Sequence, residues 1–273
     1  MSRPVALVTG ASSGIGRATV LGLLEAGLVV HAAARRTDRM RDLADAGAHV
    51  LAMDVTDDAS MVAGVGAVLD GGRLDVLVNN AGYGSFGALE DVPVDEARRQ
   101  VEVNVLGLAR LTQLALPSMR TARSGRVVNV SSVGGTIYEP LGSWYHATKF
   151  AVEGLSDSLR VELRPFGVDV VLVQPGPVRT EWNRIARENL LATSAGSPYA
   201  RHAASVARVL ERADRPGAGA EPEEVAATVV RAATVARPRT RYPVGRGART
   251  LMLARRALPD RAFDAVLERV YLR

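Results

Sequence analysis

The sequence predicts one doubly wound α/β domain, a parallel sheet with helices on both faces, extended at its C-terminus by a substrate-pocket region. Three observations carry this expectation. Short apolar runs alternate with helix-like stretches from the N-terminus onward, as strands buried on both faces do. The first run feeds directly into a glycine-rich turn that opens a helical pattern. The length, 273 residues with 47% hydrophobic side chains, suffices for one large core.

Residues 5–8 and 28–33 read as the first two strands, with an amphipathic segment over 17–26 between them and Gly27 suited to its C-terminus. Further strands are expected at 49–53, 76–78, 126–130 and 168–173, each bounded by Gly, Asp, Asn or Pro. Helix-like stretches lie near 38–46, 58–69, 94–120 and 145–164. Residues 179–220 are polar, rich in Ala and Arg, and end in Arg215-Pro216-Gly217-Ala218-Gly219, which reads as loop. Glu221-Pro222-Glu223-Glu224 opens another helix, because acids and proline suit a first turn. Tyr242-Pro243-Val244 is a last strand, and 251–272 a helical pattern broken at Pro259. No internal repeat stands out. The whole chain, 1–273, reads as a single domain: 1–180 a cofactor-binding and catalytic core, 181–273 a variable substrate-binding region.

Composition removes several functions. With no cysteine there is no disulfide scaffold, no cysteine nucleophile and no thiolate metal site. Four scattered histidines (His31, His49, His146, His202) argue against a histidine metal site. No run approaches the roughly 18 apolar residues of a membrane span, and strand-like sequence begins at Val5, so a cytoplasmic protein is expected. Residues 231–273 hold 11 Arg against Asp260, Asp264 and Glu268. Without aromatic interleaving or a DNA-binding motif this reads as an Arg-rich surface helix and not as a nucleic-acid site; docking on acidic lipid or a partner is the alternative.

The turn after the first strand is Thr9-Gly10-Ala11-Ser12-Ser13-Gly14-Ile15-Gly16. Glycines there let backbone N–H groups approach a pyrophosphate at a helix N-terminus. At the end of the second strand, where an acid would bind the ribose hydroxyls of NAD, the sequence has Ala34-Arg35-Arg36. Two guanidiniums in place of that acid favour the extra phosphate of NADP(H).

Tyr145-His146-Ala147-Thr148-Lys149 places a phenol and an ammonium one helical turn apart. A free phenol titrates near pKa ≈ 10, and a nearby ammonium is expected to lower that value. Thirteen residues before Tyr145 a Val-rich strand ends in Asn129-Val130-Ser131-Ser132. A hydroxyl at a strand's C-terminal end can polarise a carbonyl; the plainer role for Ser132 is a turn or helix cap.

These residues resemble the short-chain dehydrogenase/reductases. The resemblance runs from residue 4 to about 185, through 9–16, Asp54-Val55, Asn79-Asn80-Ala81-Gly82, Asn104, Ser132, Tyr145 with Lys149, and Pro175-Gly176-Pro177-Val178-Arg179-Thr180. It implies a Rossmann-type domain and a hydride-transferring oxidoreductase acting on a small carbonyl or secondary alcohol. By that resemblance Tyr145 is the general acid or base, Lys149 assists it and binds the nicotinamide ribose, Ser132 orients the substrate oxygen, and Asn104 holds a relay water. The cofactor contacts it implies are Gly10, Ser12, Ser13, Gly14, Ile15, Gly16, Arg35, Arg36, Asp54, Val55, Asn80, Ala81, Gly82, Tyr145, Lys149, Pro175, Gly176, Val178 and Thr180. Beyond 185 a looser likeness points to the 17β-hydroxysteroid and retinol dehydrogenase-like branch, partly on Arg241-Tyr242-Pro243-Val244-Gly245. Tyr138, Trp144 and Trp182, with Tyr83 and Phe86, are candidate pocket walls beside Ser132 and Tyr145. A homodimer or homotetramer is expected from the same resemblance.

Two alternatives stay open at this stage: an isomerase, epimerase or dehydratase on the same scaffold, and an NADP-sensing regulator without turnover. The intact catalytic set counts against the second. So does one compositional fact: 33 of the 34 basic residues are arginine and the single lysine is Lys149. A drift that replaced lysine everywhere else spared the one position where the chemistry needs a compact ammonium.

Overall fold

The computed structural model of the chain describes residues 3–215 and 217–272; the Met-Ser start, Pro216 of the expected loop and Arg273 lie outside the described residues. In chain order the elements are β1 (Val5–Thr9), α1 (Gly14–Glu25), β2 (Val29–Ala34), α2 (Arg41–Asp45), β3 (His49–Ala52), α3 (Asp58–Leu69), β4 (Val76–Asn79), α4 (Val94–Val101), α5 (Gly107–Ala122) and β5 (Gly125–Val130). They continue with α6 (Ser143–Leu163), β6 (Val168–Pro175), α7 (Glu181–Thr193), α8 (Ala200–Ala213), α9 (Pro222–Thr234), β7 (Arg241–Val244), α10 (Ala248–Ala257) and α11 (Asp260–Tyr271). The strands form one sheet in the order β3-β2-β1-β4-β5-β6-β7, every neighbouring pair parallel. Strand order reverses between β1 and β4, so a crevice opens beyond their C-terminal ends.

Alternation along each strand sorts the core into two layers. Ala6, Val8, Val30, Val78, Val128 and Val171 face α1 and α9, where Val20, Leu23, Val225 and Val229 cover them. Leu7, Leu77, Val127 and Val170 face the other way, onto Met61, Val65 and Val68 of α3 and Leu111, Ala115 and Met119 of α5. Each fully buried Val or Leu contributes about 1.5–3 kcal/mol relative to exposure, which is why these runs read as near-continuously apolar.

Local chemistry sets the ends. Gly27, at φ +86°, ends α1 in the left-handed region that glycine tolerates. Pro222 occupies the first turn of α9, followed by Glu223 and Glu224 at its positive end. The expected helix over 94–120 is interrupted by a π-helical turn, Glu102–Leu106, that carries Asn104. The clearest correction concerns 179–220: most of this stretch builds α7 and α8, while Arg215 and residues 217–219 lie in turns and bends as expected. Their apolar faces are narrow, formed by Ala186 and Leu190 on one and Ala203, Val206, Ala207 and Leu210 on the other. That helical spacing was present in the sequence but diluted by Arg and Ala.

Candidate active site

A cleft of about 850 Å³ runs across the C-terminal ends of β1, β2, β4, β5 and β6 and is roofed by α7 and α8. Its floor is the glycine turn. Gly10 sits at φ +67° and Gly14 at φ +52°. A Cβ on Gly16 would lie 2.3 Å from the Gly10 carbonyl oxygen and 2.6 Å from Asn80 Nδ2. Asn80 ties the turn to β4: its Nδ2 donates to the Thr9 carbonyl at 2.9 Å, and the N–H groups of Asn80 and Ala81 donate to Thr9 Oγ1 at 3.1 and 3.0 Å. Ser13 caps α1 through its backbone only, and no acid occupies the first turn. The first N–H groups of α1 are thus left for an anion.

Gly10, Ser12, Ser13, Gly14 and Ile15 line the cleft, whereas Gly16 packs beneath it. Arg35, Arg36, Asp54 and Val55 line its outer end. The Arg36 guanidinium reaches Ser12 Oγ at 3.4 Å, and Arg35 stands 3.9 Å from the Asp54 carboxylate. Burial raises the Asp54 carboxyl, but hydrogen bonds from Thr56 and the Arg35 charge outweigh it and hold the group below the usual carboxylate range. Asn80, Ala81 and Gly82 form the middle of the wall, and Pro175, Gly176, Val178 and Thr180 the inner side. Thr180 also caps α7, its Oγ1 accepting from Trp182 N at 3.3 Å. Ala220 pins the segment before it, donating to Pro177 O and accepting from Arg179 N, each at 2.9 Å.

Ser132, Tyr145 and Lys149 meet at the inner end of this cleft. Ser132 caps the short 3₁₀ turn after β5, its Oγ accepting from Gly134 N at 3.0 Å, and it also hydrogen-bonds to the Tyr145 phenol. The cap expected of a turn serine is therefore present. Lys149 Nζ donates to the Val130 carbonyl at 3.0 Å. Burial lowers the Lys149 ammonium to about 8 despite the opposing charge of Glu153. Burial also pushes the Tyr145 phenol up to about 12, with the Ser132 hydrogen bond pulling down and the Glu139 charge adding to the rise. The phenol thus stands above its ordinary value and not below it as expected, because its burial dominates.

Asn104 does not reach the cleft surface. Its Oδ1 accepts from Tyr83 N at 3.0 Å and its Nδ2 donates to Tyr83 O at 2.9 Å and Thr148 Oγ1 at 3.1 Å. Thr148 in turn donates to the Tyr145 carbonyl at 2.8 Å, so Asn104 ties the Tyr83 loop to α6.

The pocket walls need two corrections. Tyr138 is not on the cleft; it packs edge-on against Phe263 at 5.4 Å and donates to Asp264 at 2.7 Å, drawn away by α11. Trp144, in the first turn of α6, also lies outside the lining, because Tyr145 takes the inward face. Trp182, Tyr83 and Phe86 do line it. The Trp182 ring lies 5.2 Å from Tyr145 and 5.9 Å, edge-on, from Phe86. Sequence reading missed Glu139 and Tyr271, which complete this end of the cleft. Tyr271 is 126 residues from Tyr145, and only the helical spacing of Phe263, Leu267 and Tyr271 hinted at an inward face on α11.

Among the described residues no helix is long and apolar enough to cross a membrane, and no cluster of three or more His, Asp or Glu could hold a metal. The short chain dehydrogenase family pattern matches residues 4–190. A 3-ketodihydrosphingosine reductase of Bacteroides thetaiotaomicron is 34% identical, with 99% of each chain covered. A short-chain dehydrogenase structure from Streptomyces avermitilis superposes with a TM-score of 0.78 at 36% identity, covering 97% of this chain and 94% of that one. Similar solved structures hold either cofactor. A metagenomic short-chain oxidoreductase with NADP has TM-score 0.70 and 31% identity, covering 89% and 97% of the two chains. A Burkholderia phymatum relative with NAD has TM-score 0.80 and 28% identity, covering 97% and 95%. With the strand order, the glycine turn and the Ser132, Tyr145 and Lys149 cluster already in place, these likenesses identify the chain as a member of the short-chain dehydrogenase/reductase family, an oxidoreductase.

Proposed function

We propose that the protein reduces a ketone, or oxidises the corresponding secondary alcohol, with NADP(H) as its cofactor and Tyr145 as its general acid or base. The observation that carries this reading is the convergence of Ser132, Tyr145 and Lys149 at the inner end of the cleft whose floor is the glycine turn. The cradle fits a dinucleotide: at Gly10, Gly14 and Gly16 a Cβ would meet neighbouring atoms at 2.9, 3.1 and 2.3 Å, and the N-terminus of α1 is free of a side-chain cap. Arg35 and Arg36, with no acid at the end of β2, supply the charge that a 2′-phosphate requires. Bound nicotinamide supplies the hydride to the carbonyl carbon or takes it back.

The chain's own residues then manage the oxygen. Ser132 turns its hydroxyl toward the substrate oxygen and orients it. Tyr145, held protonated by burial, delivers a proton to that oxygen as the ketone becomes an alcohol. Lys149, fixed by Val130, supports the phenolate left behind and holds a ribose hydroxyl. Trp182 and Phe86 exclude water from the reacting centre.

Tyr145→Phe should lower turnover roughly 10³-fold while nucleotide binding, followed by calorimetry, survives; unchanged turnover would overturn the mechanism. Arg35→Ala should weaken NADP(H) more than tenfold and leave NAD(H) little changed. A higher kcat/KM with NAD(H) than with NADP(H) in the unaltered protein would overturn the cofactor assignment.

A further inference from the structure

Glu139 stands in the turn between β5 and α6, and the fold fixes it from several sides. Its N–H donates to His146 Nε2 at 3.0 Å, while His146 Nδ1 meets the Gly134 carbonyl at 2.9 Å. Two residues on, Leu141 takes φ +63°, and its carbonyl accepts from Gly87 N at 2.8 Å. A left-handed conformation at a leucine persists only where neighbouring contacts hold it. The Glu139 side chain is then met from the far end of the chain: Tyr271 of α11 donates its hydroxyl to Oε1 at 2.6 Å. Burial and the Glu139 charge both raise the Tyr271 phenol, so it remains a neutral donor.

That single neutral hydrogen bond orients the carboxylate without cancelling its charge. Among the described residues no Arg, Lys or His forms an ion pair with Glu139, although the chain has 33 arginines. Glu181, Glu188 and Glu221 all have arginine partners. Glu139 lines the cleft together with the aromatic surfaces of Phe86 and Trp182. Its charge reaches the Tyr145 phenol, the group assigned to the substrate oxygen. An oriented carboxylate without an ion-pair partner, beside the aromatic rings of Phe86 and Trp182, is complementary to a cation lying close to the carbonyl.

We propose that Glu139, positioned by Tyr271, is the specificity-determining residue that receives a protonated amine, so that the substrates are amino ketones and the corresponding amino alcohols. This rests on the ketone-reductase reading above; the amine contact adds binding and orientation, and the hydride and proton go where that reading sends them.

The test compares a dialkylamino ketone with the same ketone carrying carbon in place of nitrogen, both with NADPH. The unaltered protein should favour the amine by at least tenfold in kcat/KM, and the ratio should fall to about one in Glu139→Gln. Tyr271→Phe should lower the ratio part of the way, since the carboxylate keeps its charge but loses its orientation. A residue that merely anchors α11 would, when changed, lower thermal stability and leave the ratio untouched; that outcome, or no preference in the unaltered protein, overturns the proposal. Binding of octylamine against octanol to the NADP-loaded protein, read by calorimetry, needs no turnover. If no ketone is reduced, the reductase reading fails, while equal octylamine affinity in the unaltered protein and Glu139→Gln still overturns the amine site alone.

Discussion

Arg241 of β7 holds Glu153 of α6, its Nε donating to Oε2 at 3.0 Å while its Nη2 donates to Asp157 at 2.7 Å. Gln174 Nε2 fills the other Glu153 oxygen at 3.0 Å. Glu153 is 7% exposed and lies one helical turn beyond Lys149, whose ammonium it stabilises. The last strand of the sheet is thereby tied to the helix that carries the reacting groups.

Removing Arg241 leaves the buried Glu153 carboxylate without its hydrogen-bonded cation, with the Lys149 charge still nearby. Arg241→Ala should destabilise the protein by about 2 kcal/mol, below the usual range for a broken buried pair because water reaches part of the guanidinium. The fully surface pair Arg98 and Asp95 gives the contrast: Arg98→Ala should shift stability by less than about 0.5 kcal/mol. Urea unfolding of both variants checks this, and equal midpoints would show that Arg241 carries no buried charge.

The single lysine makes a pH experiment unusually clean. Burial lowers its pKa to about 8 in the folded chain, against 10.5 for a lysine in water. Between these values the unfolded chain binds more protons, so stability should rise as pH increases from 8 toward 10. With no cysteine and no second lysine, the other side chains that enter this range are tyrosines, and raised phenols such as Tyr145 oppose the lysine only as pH nears 10. The urea midpoint should therefore increase between about pH 8 and 9 in the unaltered protein and show no such increase in Lys149→Met. A falling midpoint in the unaltered protein would contradict the buried-ammonium geometry.

Lys149→Arg keeps the charge but replaces a compact ammonium by a planar fork. Nζ sits 3.0 Å from the Val130 carbonyl at the wall of the cleft, a point contact that a planar guanidinium cannot reproduce with the same position. Turnover should fall at least roughly 100-fold. Steady-state kinetics decide it, and a kcat equal to that of the unaltered protein would remove Lys149 from the mechanism.

Gly16 and Gly27 separate close approach from backbone freedom. Gly16→Ala pushes a methyl against the Gly10 carbonyl and Asn80, so nucleotide affinity should drop more than tenfold. Gly27→Ala meets nothing within 4 Å but must hold φ +86°; it should cost about 1 kcal/mol of stability and leave nucleotide affinity unchanged. Calorimetric titration with NADP tests the pair, and a normal Kd for Gly16→Ala would break the cradle argument.

Read alone, the sequence determined what is local or repetitive. Buried parallel strands announce themselves as apolar runs, and the runs at 5–8, 76–78 and 168–173 became β1, β4 and β6 with small shifts at their ends. The glycine turn, the arginines after β2 and the spacing from Tyr145 to Lys149 are legible because each is fixed by backbone sterics or by one helical turn. Tertiary structure decided what depends on distant chain meeting distant chain. It folded 181–193 and 200–213 into α7 and α8, whose thin alanine faces pack against each other and against Phe86. It turned Tyr138 away and brought Tyr271 in, because α11 packs beside the turn that carries Glu139. It also reversed the sign expected at Tyr145, since the loss of water around a phenol and an ammonium is a property of the assembled core and not of their spacing.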